Sequence, residues 1–444
     1  MDNDDHRALS GSADWGVRAV LRNLLDWLAR HPIWAFGLIF VVAFALRVGF
    51  VRLVPYDVLV PHTRWEIEAI AHAVFTRGEF ADPYALPTGP TAHVPPLYPI
   101  ILSTIYRAFG LTLTAGVVAW MLGAAFYAAM YAILPSIGER FGVGRQAGII
   151  AGCAGAVWVH WLSQVEALAG LVLALLLAAF VRRWTDARTS LSRSVLLGIG
   201  WGIAFLLKPA LLPILLGCLG FEIWWRRAPG AWHVAALVAL GTVLALIPWT
   251  VRNYHTFDAV FFVRSNFGLE LRVGNHAGAH ADIDISQARV PLRHPRTDET
   301  EAAKLRAMGE IAYMRKARAE AVQWIRENPG DFLQLTFARI AYFWLGPLHD
   351  PFMAFWTTLL TGLAVIGAWH ALPRMRDPQR VVTLIPLAGF PLVYYVMAYM
   401  PRYRIPIEWI LLLLAGAAVW AGLGGYRTHG HGHSDTTTPP AAER

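Results

Sequence analysis

Charge is scarce in this 444-residue chain. Asp, Glu, Lys and Arg make up 15% of it against 56% hydrophobic residues, where a soluble domain carries about 25% charged residues. That shortage excludes a water-soluble enzyme or binding module and points to a polytopic membrane protein. Cysteine is scarcer still, with two in the whole chain. Both Cys153 and Cys218 fall in apolar segments, so they read as small packing residues and not as a disulfide or a thiolate metal site. A sustained internal repeat is also lacking, which weakens an inverted-repeat transporter. No small-residue cleavage site follows the first apolar stretch, which is too long for a signal-peptide core, so no cleaved signal peptide is expected. The net charge of +8 would suit a nucleic-acid partner, but the arginines sit in short loops between apolar stretches. That is the positive-inside pattern, and it removes nucleic acid from consideration.

Apolar stretches, by contrast, are abundant. A helix needs roughly 20 residues to cross a hydrocarbon core, and hydropathy predicts spans near 33–54, 112–136, 147–161, 166–181, 194–207, 209–225, 232–250, 350–371, 381–399 and 404–422. The first of them is apolar except for Arg47 and Arg52 near its end. A cytoplasmic N-terminus then makes every arginine-rich loop cytoplasmic: Arg140 and Arg145; Arg182, Arg183, Arg188 and Arg193; Arg226 and Arg227; Arg374, Arg376 and Arg380. The scheme requires the apolar piece 97–110, which contains Arg107, to lie at the interface or pack as a short helix.

Three regions result: a cytoplasmic segment 1–32, a membrane domain 33–424 and a polar, disordered cytoplasmic tail 425–444. In the first, Val17, Leu21, Leu24 and Leu28 share a helical face with Arg18, Arg22 and Arg30 elsewhere, which suits a helix on an anionic membrane surface. The tail holds His429, His431 and His433, a minor metal-binding option. Two large polar segments, 55–111 and 251–349, face outward. The second contains a helical run from Asp298 to Asn328, closed by Pro329 and Gly330, with Asp331 set to cap the next helix. That helix is amphipathic and aromatic and is expected on the outer leaflet.

Acids beside a bilayer are costly unless they have a task, and the first outer segment carries several. From Arg64 to Arg77 it is helix-compatible; Glu66, Ile70 and Ala73 share one face while Glu68 points roughly the opposite way. A single acid suits a general base better than a two-carboxylate glycosidase. Departure of a phosphate needs no protonating acid, provided cations hold it. Topology sends Lys208, Arg252, Arg402 and Arg404 to the same outer leaflet, each at a different span end, and together they form a candidate phosphate-binding cluster. Each alone could be an ordinary snorkelling residue.

The blocks WEIEAIA, RGEF and TGPTAHVPPLYP in the first outer segment, PWTVRNYHTFDAVFFVRSNFGLELRVGN at 248–275 and RYRIP at 402–406 resemble C-type-fold bacterial glycosyltransferases. These are related to dolichyl-phosphate-mannose protein mannosyltransferases and to lipid A aminoarabinose transferases (glycosyltransferase family 39-like). The resemblance implies an all-α polytopic membrane fold of about ten transmembrane helices with two large outer loops. It also implies transfer of a hexosyl or pentosyl group from a polyprenyl-phosphate donor to a lipid, glycan or protein acceptor, at the outer face of the bacterial inner membrane. The family's loop acid matches Glu66. Relatives carry an adjacent acidic pair, whereas Glu66 and Glu68 are separated here, which leaves a divalent metal cofactor open. An acceptor-recognition domain found in some relatives is expected to be missing. His62, His93, Tyr98 and Asn275 are secondary candidates, and Asp282 with Asp284 forms a D-x-D string that arises easily by chance. A membrane transporter or flippase is the alternative. It would place ionisable groups near mid-membrane, where Glu408 is the nearest exception to their position at span ends.

Overall fold

A computed structural model describes residues 5–158, 163–185, 190–226, 231–290 and 294–426. The tail with His429, His431 and His433 lies outside the described residues, as do Arg188 and Arg227. Among the described residues the secondary structure is helical, with two isolated bridges, Ala81 to Pro90 and Asp282 to Tyr399.

Among the described residues six helical stretches are long and apolar enough to cross a membrane: Pro32–Leu53, Leu113–Arg140, Gln164–Thr185, Trp232–Phe257, Pro351–Arg374 and Pro401–Gly422. The other expected spans are shorter helices. Numbering the helices of ten or more residues, the N-terminal half gives α1 (Asp5–Arg30), α2 (Pro32–Gly49), α3 (Glu66–Arg77), α4 (Leu97–Phe109), α5 (Leu113–Ala132), α6 (Arg145–Val157), α7 (Gln164–Thr185), α8 (Leu191–Phe205) and α9 (Leu212–Arg226). The C-terminal half gives α10 (Ala231–Phe257), α11 (Glu299–Met308), α12 (Glu310–Glu327), α13 (Pro329–Leu345), α14 (Pro351–Ala371), α15 (Asp377–Gly389) and α16 (Ile405–Gly422). The expected span 381–399 is not one helix, because α15 ends at Gly389 and a 3₁₀ turn, Phe390–Tyr395, follows. Pro386 and Pro391 each remove a backbone donor, so an unbroken i→i−4 ladder cannot run through.

The core forms around α16, in which every residue from Ile405 to Ala417 is buried. In a bilayer, close backbone approach replaces the hydrophobic driving force, and small residues permit it. A Cβ at Gly367 of α14 would lie 1.7 Å from the Leu414 carbonyl, and one at Gly416 would lie 2.2 Å from that of Ala147 in α6. Two sets of buried charges are paired structurally. Arg47 donates to the carbonyls of Gly155, Ala156 and Trp158 at the end of α6, between the rings of Tyr127 and Tyr131. Arg183 and Arg226 both bind the buried carboxylate of Glu222.

The last turns of α1 dock: Leu28 packs with Ala35 and Ile149, and Arg145 donates to the Ala29 carbonyl. Val17, Leu21 and Leu24 are exposed. In the second outer segment Gly309, at φ 80°, divides the expected helical run into α11 and α12, and the Asp298 side chain caps α11. Asp331 does not cap α13. Pro329 occupies its first turn and Asn328 precedes it, since proline's missing N–H is not needed there.

Candidate functional site

Helix α3 starts at Glu66 and stops at Gly78, which takes the left-handed conformation (φ 75°) that favours glycine. Its inner face, Ala69, Ile70, Ala71 and Ala73, is buried, and Ala71 packs with Leu102 and Tyr106 of α4. Glu66 therefore sits at a helix N-terminus, where backbone N–H groups favour a negative charge. The chain then folds back. The Asp82 carboxylate accepts from the amides of Thr88 and Gly89 and pairs with Arg77. This hairpin brings His93 to Glu66, with His93 Nε2 4.0 Å from Glu66 Oε1. The other ring nitrogen, Nδ1, is 2.9 Å from the buried Tyr84 hydroxyl.

The second outer segment completes the group. Ala85 N–H donates to the Pro295 carbonyl, tying the two segments together beside His294. Arg296 Nε lies 3.0 Å from Glu66 Oε1, and its guanidinium covers the Trp65 ring at 4.7 Å. Ligand atoms of Glu66, His93 and His294 all fall within 4.8 Å of one another. Burial, then nearby arginines, holds His93 well below the ordinary histidine range, and burial lowers His294 to about 4. Both imidazoles are thus neutral near pH 7. Two neutral imidazoles and a carboxylate form a donor set that suits zinc or another first-row divalent ion.

Glu68 lies on the same helix, and one of its oxygens, Oε2, is buried without a hydrogen-bond partner. Burial raises its pKa to about 7, and the Glu66 charge adds to the rise, while Arg402 and Arg296 oppose it. The two acids are separated around the helix yet sense each other electrostatically.

The four expected phosphate cations divide. Arg402 is exposed, and Glu166, Glu66 and Glu270 all lie within its electrostatic reach. Lys208 shares the Tyr403 ring with it and also faces Tyr394, but its Nζ is 2.8 Å from Glu166 Oε1. Arg252 is committed to the carbonyls of Thr91 and Phe80, at 2.8 and 3.0 Å, and contacts the rings of Phe80, Trp249 and Phe257. Arg404 is buried, with Glu408 and Tyr399 as its electrostatic neighbours and one long bond to the Phe343 carbonyl.

The secondary candidates also separate. Tyr98 is buried within electrostatic reach of Glu68. His62 accepts from the Arg64 amide near Asp57, away from the acid group. Asn275 is a buried tie, donating to the Leu271 and Val396 carbonyls and accepting from Arg339. Asp282 caps the short helix Ile283–Arg289 and faces His349, while Asp284 is exposed, so the D-x-D string serves as a helix start.

Sequence reasoning missed His294, Arg296 and Glu166. The first two stand in a short H-P-R string remote in sequence from α3, and no spacing rule joins them to it. Glu166 carried a legible signal, an acid at the start of an apolar span, which requires a buried cationic partner.

No family model matches this chain, and no curated protein matches it. Among solved structures, the chain is similar to the crystal structure of ArnT from Cupriavidus metallidurans bound to undecaprenyl phosphate. The sequences are 16% identical, the TM-score is 0.33, and the match covers 89% of this chain and 78% of that one. The functional reading therefore rests on this chain's own residues.

Proposed function

We propose that this protein is an integral membrane glycosyltransferase of the C-type fold. It transfers a sugar from a polyprenyl-phosphate donor to an acceptor at the outer face of the bacterial inner membrane. The observation that carries the reading is the position of Glu66 at a helix N-terminus, with His93, His294 and Arg296 around it. Arg402 lies within electrostatic reach of that acid. An acid beside cations at the membrane edge suits attack on a sugar whose leaving group is a phosphate.

In this reading Glu66 takes the proton from the acceptor hydroxyl as the oxygen attacks the anomeric carbon. The bond to the phosphate oxygen breaks on the opposite face, and the product is inverted. Arg402 stabilises the departing phosphate, with Lys208 behind it. Glu68, neutral below about pH 7, has a carboxyl group able to hydrogen-bond a sugar hydroxyl. Arg296 pairs with Glu66 and fixes the position of its carboxylate. A divalent ion held by Glu66, His93 and His294 would supply further charge stabilisation.

The experiment is an assay of purified, reconstituted protein with a radiolabelled polyprenyl-phosphate sugar and membrane extract as the acceptor source. Transfer of label by wild type and its loss in Glu66→Gln are expected. Label that crosses the bilayer without being transferred would replace the reading with a transporter. That alternative gains nothing from the buried membrane charges Arg47, Arg183 and Glu222, which are all held by structural partners.

A further inference from the structure

His93 reaches the acid group on a three-residue segment whose backbone groups are all paired. Thr91 N–H donates to the Phe80 carbonyl, Ser265 N–H to the Ala92 carbonyl, Arg252 to the Thr91 carbonyl and Arg264 to the His93 carbonyl. The two remaining amides lead to one carboxylate. Ala92 N–H donates to Glu310 Oε1 at 2.8 Å. His93 N–H donates to Thr91 Oγ1 at 3.0 Å, and that hydroxyl donates to Glu310 Oε2. Glu310 also accepts from the Ser265 hydroxyl. It is buried at the first position of α12, so a side chain of the second outer segment fixes a segment of the first.

This is more than loop adhesion requires. Two of the hydrogen bonds reach the segment that carries His93, and one passes through Thr91 to the His93 amide itself. Buried donors left without partners are costly, so loss of the carboxylate would let the segment rearrange until its amides found new acceptors. The imidazole would move with it, away from Glu66 and Tyr84.

We propose that Glu310 is a positioning residue for the reaction: by holding the 91–93 segment it sets His93 against Glu66. The proposal rests on the reading that Glu66, His93 and His294 form the reaction centre. Arg252 acts on the same segment through the Thr91 carbonyl, which gives it a positioning role in place of the phosphate contact expected from sequence.

The test is a double-mutant cycle in the full-length, reconstituted protein, reading turnover, donor KM and thermal midpoint for Glu310→Ala, His93→Ala and the pair. If Glu310 acts through His93, each single variant lowers turnover at least tenfold with little change in donor KM, and the pair falls no further than His93→Ala alone. Glu310→Gln, which keeps an oxygen for Ala92 N–H, recovers most of the loss. Multiplicative losses in the pair, or wild-type turnover in Glu310→Ala, overturn the proposal. Should Glu310→Ala fail to fold, Thr91→Val removes the hydroxyl between Glu310 and the His93 amide and takes its place in the cycle, with the same two outcomes. Glu66→Gln measured alongside separates the two ideas. Full turnover there with a non-additive cycle overturns the base assignment and leaves the positioning role of Glu310, whereas lost turnover there with an additive cycle overturns that positioning role alone.

Discussion

Glu66 and Arg296 meet at 3.0 Å, the acid from the first outer segment and the cation from the second, both partly buried. Glu66 is also the first residue of its helix. The guanidinium fixes the position of the carboxylate, which stays reachable from solvent, as a base that meets an acceptor must be.

Glu66→Gln preserves size and most hydrogen bonding while removing basicity. Turnover is expected to fall by about 100-fold or more, the range for loss of a general base, with donor affinity retained, since the proposed phosphate contact is made by Arg402. Single-turnover assays with labelled donor measure both quantities. A folded Glu66→Gln protein that transfers sugar at the wild-type rate would falsify the assignment.

Metal binding by the Glu66, His93 and His294 group is tested on the protein itself. Zinc titrated into metal-free protein should bind with one-site stoichiometry in isothermal calorimetry. His294→Ala and His93→Ala should each weaken it at least tenfold, since each removes one of three donors. Equal affinity in wild type and both variants would show that the ion sits elsewhere.

The apolar spans were legible because burial in lipid demands long runs without charge, and the two long polar segments stood out against them. Glu66 drew notice as a candidate for the related reason that an acid beside such a run stands out. What periodicity could not supply was the company it keeps. His294 and Arg296 reach Glu66 only through the meeting of two outer segments, which the bond from Ala85 N–H to the Pro295 carbonyl helps to fix. Arg252 shows the converse. Its position at a span end suggested a phosphate ligand, but two backbone carbonyls of the hairpin take its guanidinium. A charge at a span end says which leaflet it serves and not which partner it has.

Glu68 should make stability fall as pH rises. Its folded pKa of about 7, raised first by burial, exceeds the ordinary carboxylate value near 4.3. The folded protein therefore keeps a proton that the unfolded chain releases, and the stabilisation present below about pH 4 is lost as pH climbs through about 7. The difference is on the order of 3 kcal/mol. Glu68→Gln, which cannot ionise, should match wild type in thermal midpoint at pH 5 and exceed it at pH 8. The same gap at both pH values would remove Glu68 as the titrating group.

Outward orientation of both polar segments is open to labelling. Ala85 and Ala288 are exposed, so Ala85→Cys and Ala288→Cys, placed in a Cys153→Ala, Cys218→Ala background, should react with an impermeant thiol reagent in intact spheroplasts. Protection of both until lysis would invert the topology and with it the side of the reaction.

The four expected phosphate cations should give four different phenotypes, because their surroundings differ. Arg402 is exposed beside the Tyr403 ring, so Arg402→Ala should weaken donor binding by about 1–3 kcal/mol, the value of a charge-assisted hydrogen bond. Arg402→Lys should recover only part of this, since an ammonium lacks the planar fork that grips phosphate. Lys208 neutralises the buried Glu166. Its alanine variant leaves that carboxylate unpaired at a cost of about 3–5 kcal/mol, so loss of folded protein should precede any reading of affinity. Arg252→Ala releases the Thr91 and Phe80 carbonyls and should lower turnover through the His93 segment while donor affinity holds. Arg404 is buried among Tyr399, Glu408 and the Phe343 carbonyl, and its replacement should lower the thermal midpoint. Donor affinity by equilibrium binding, measured together with thermal midpoints for all four alanine variants, separates these outcomes. Unchanged affinity in Arg402→Ala would remove Arg402 from donor binding altogether.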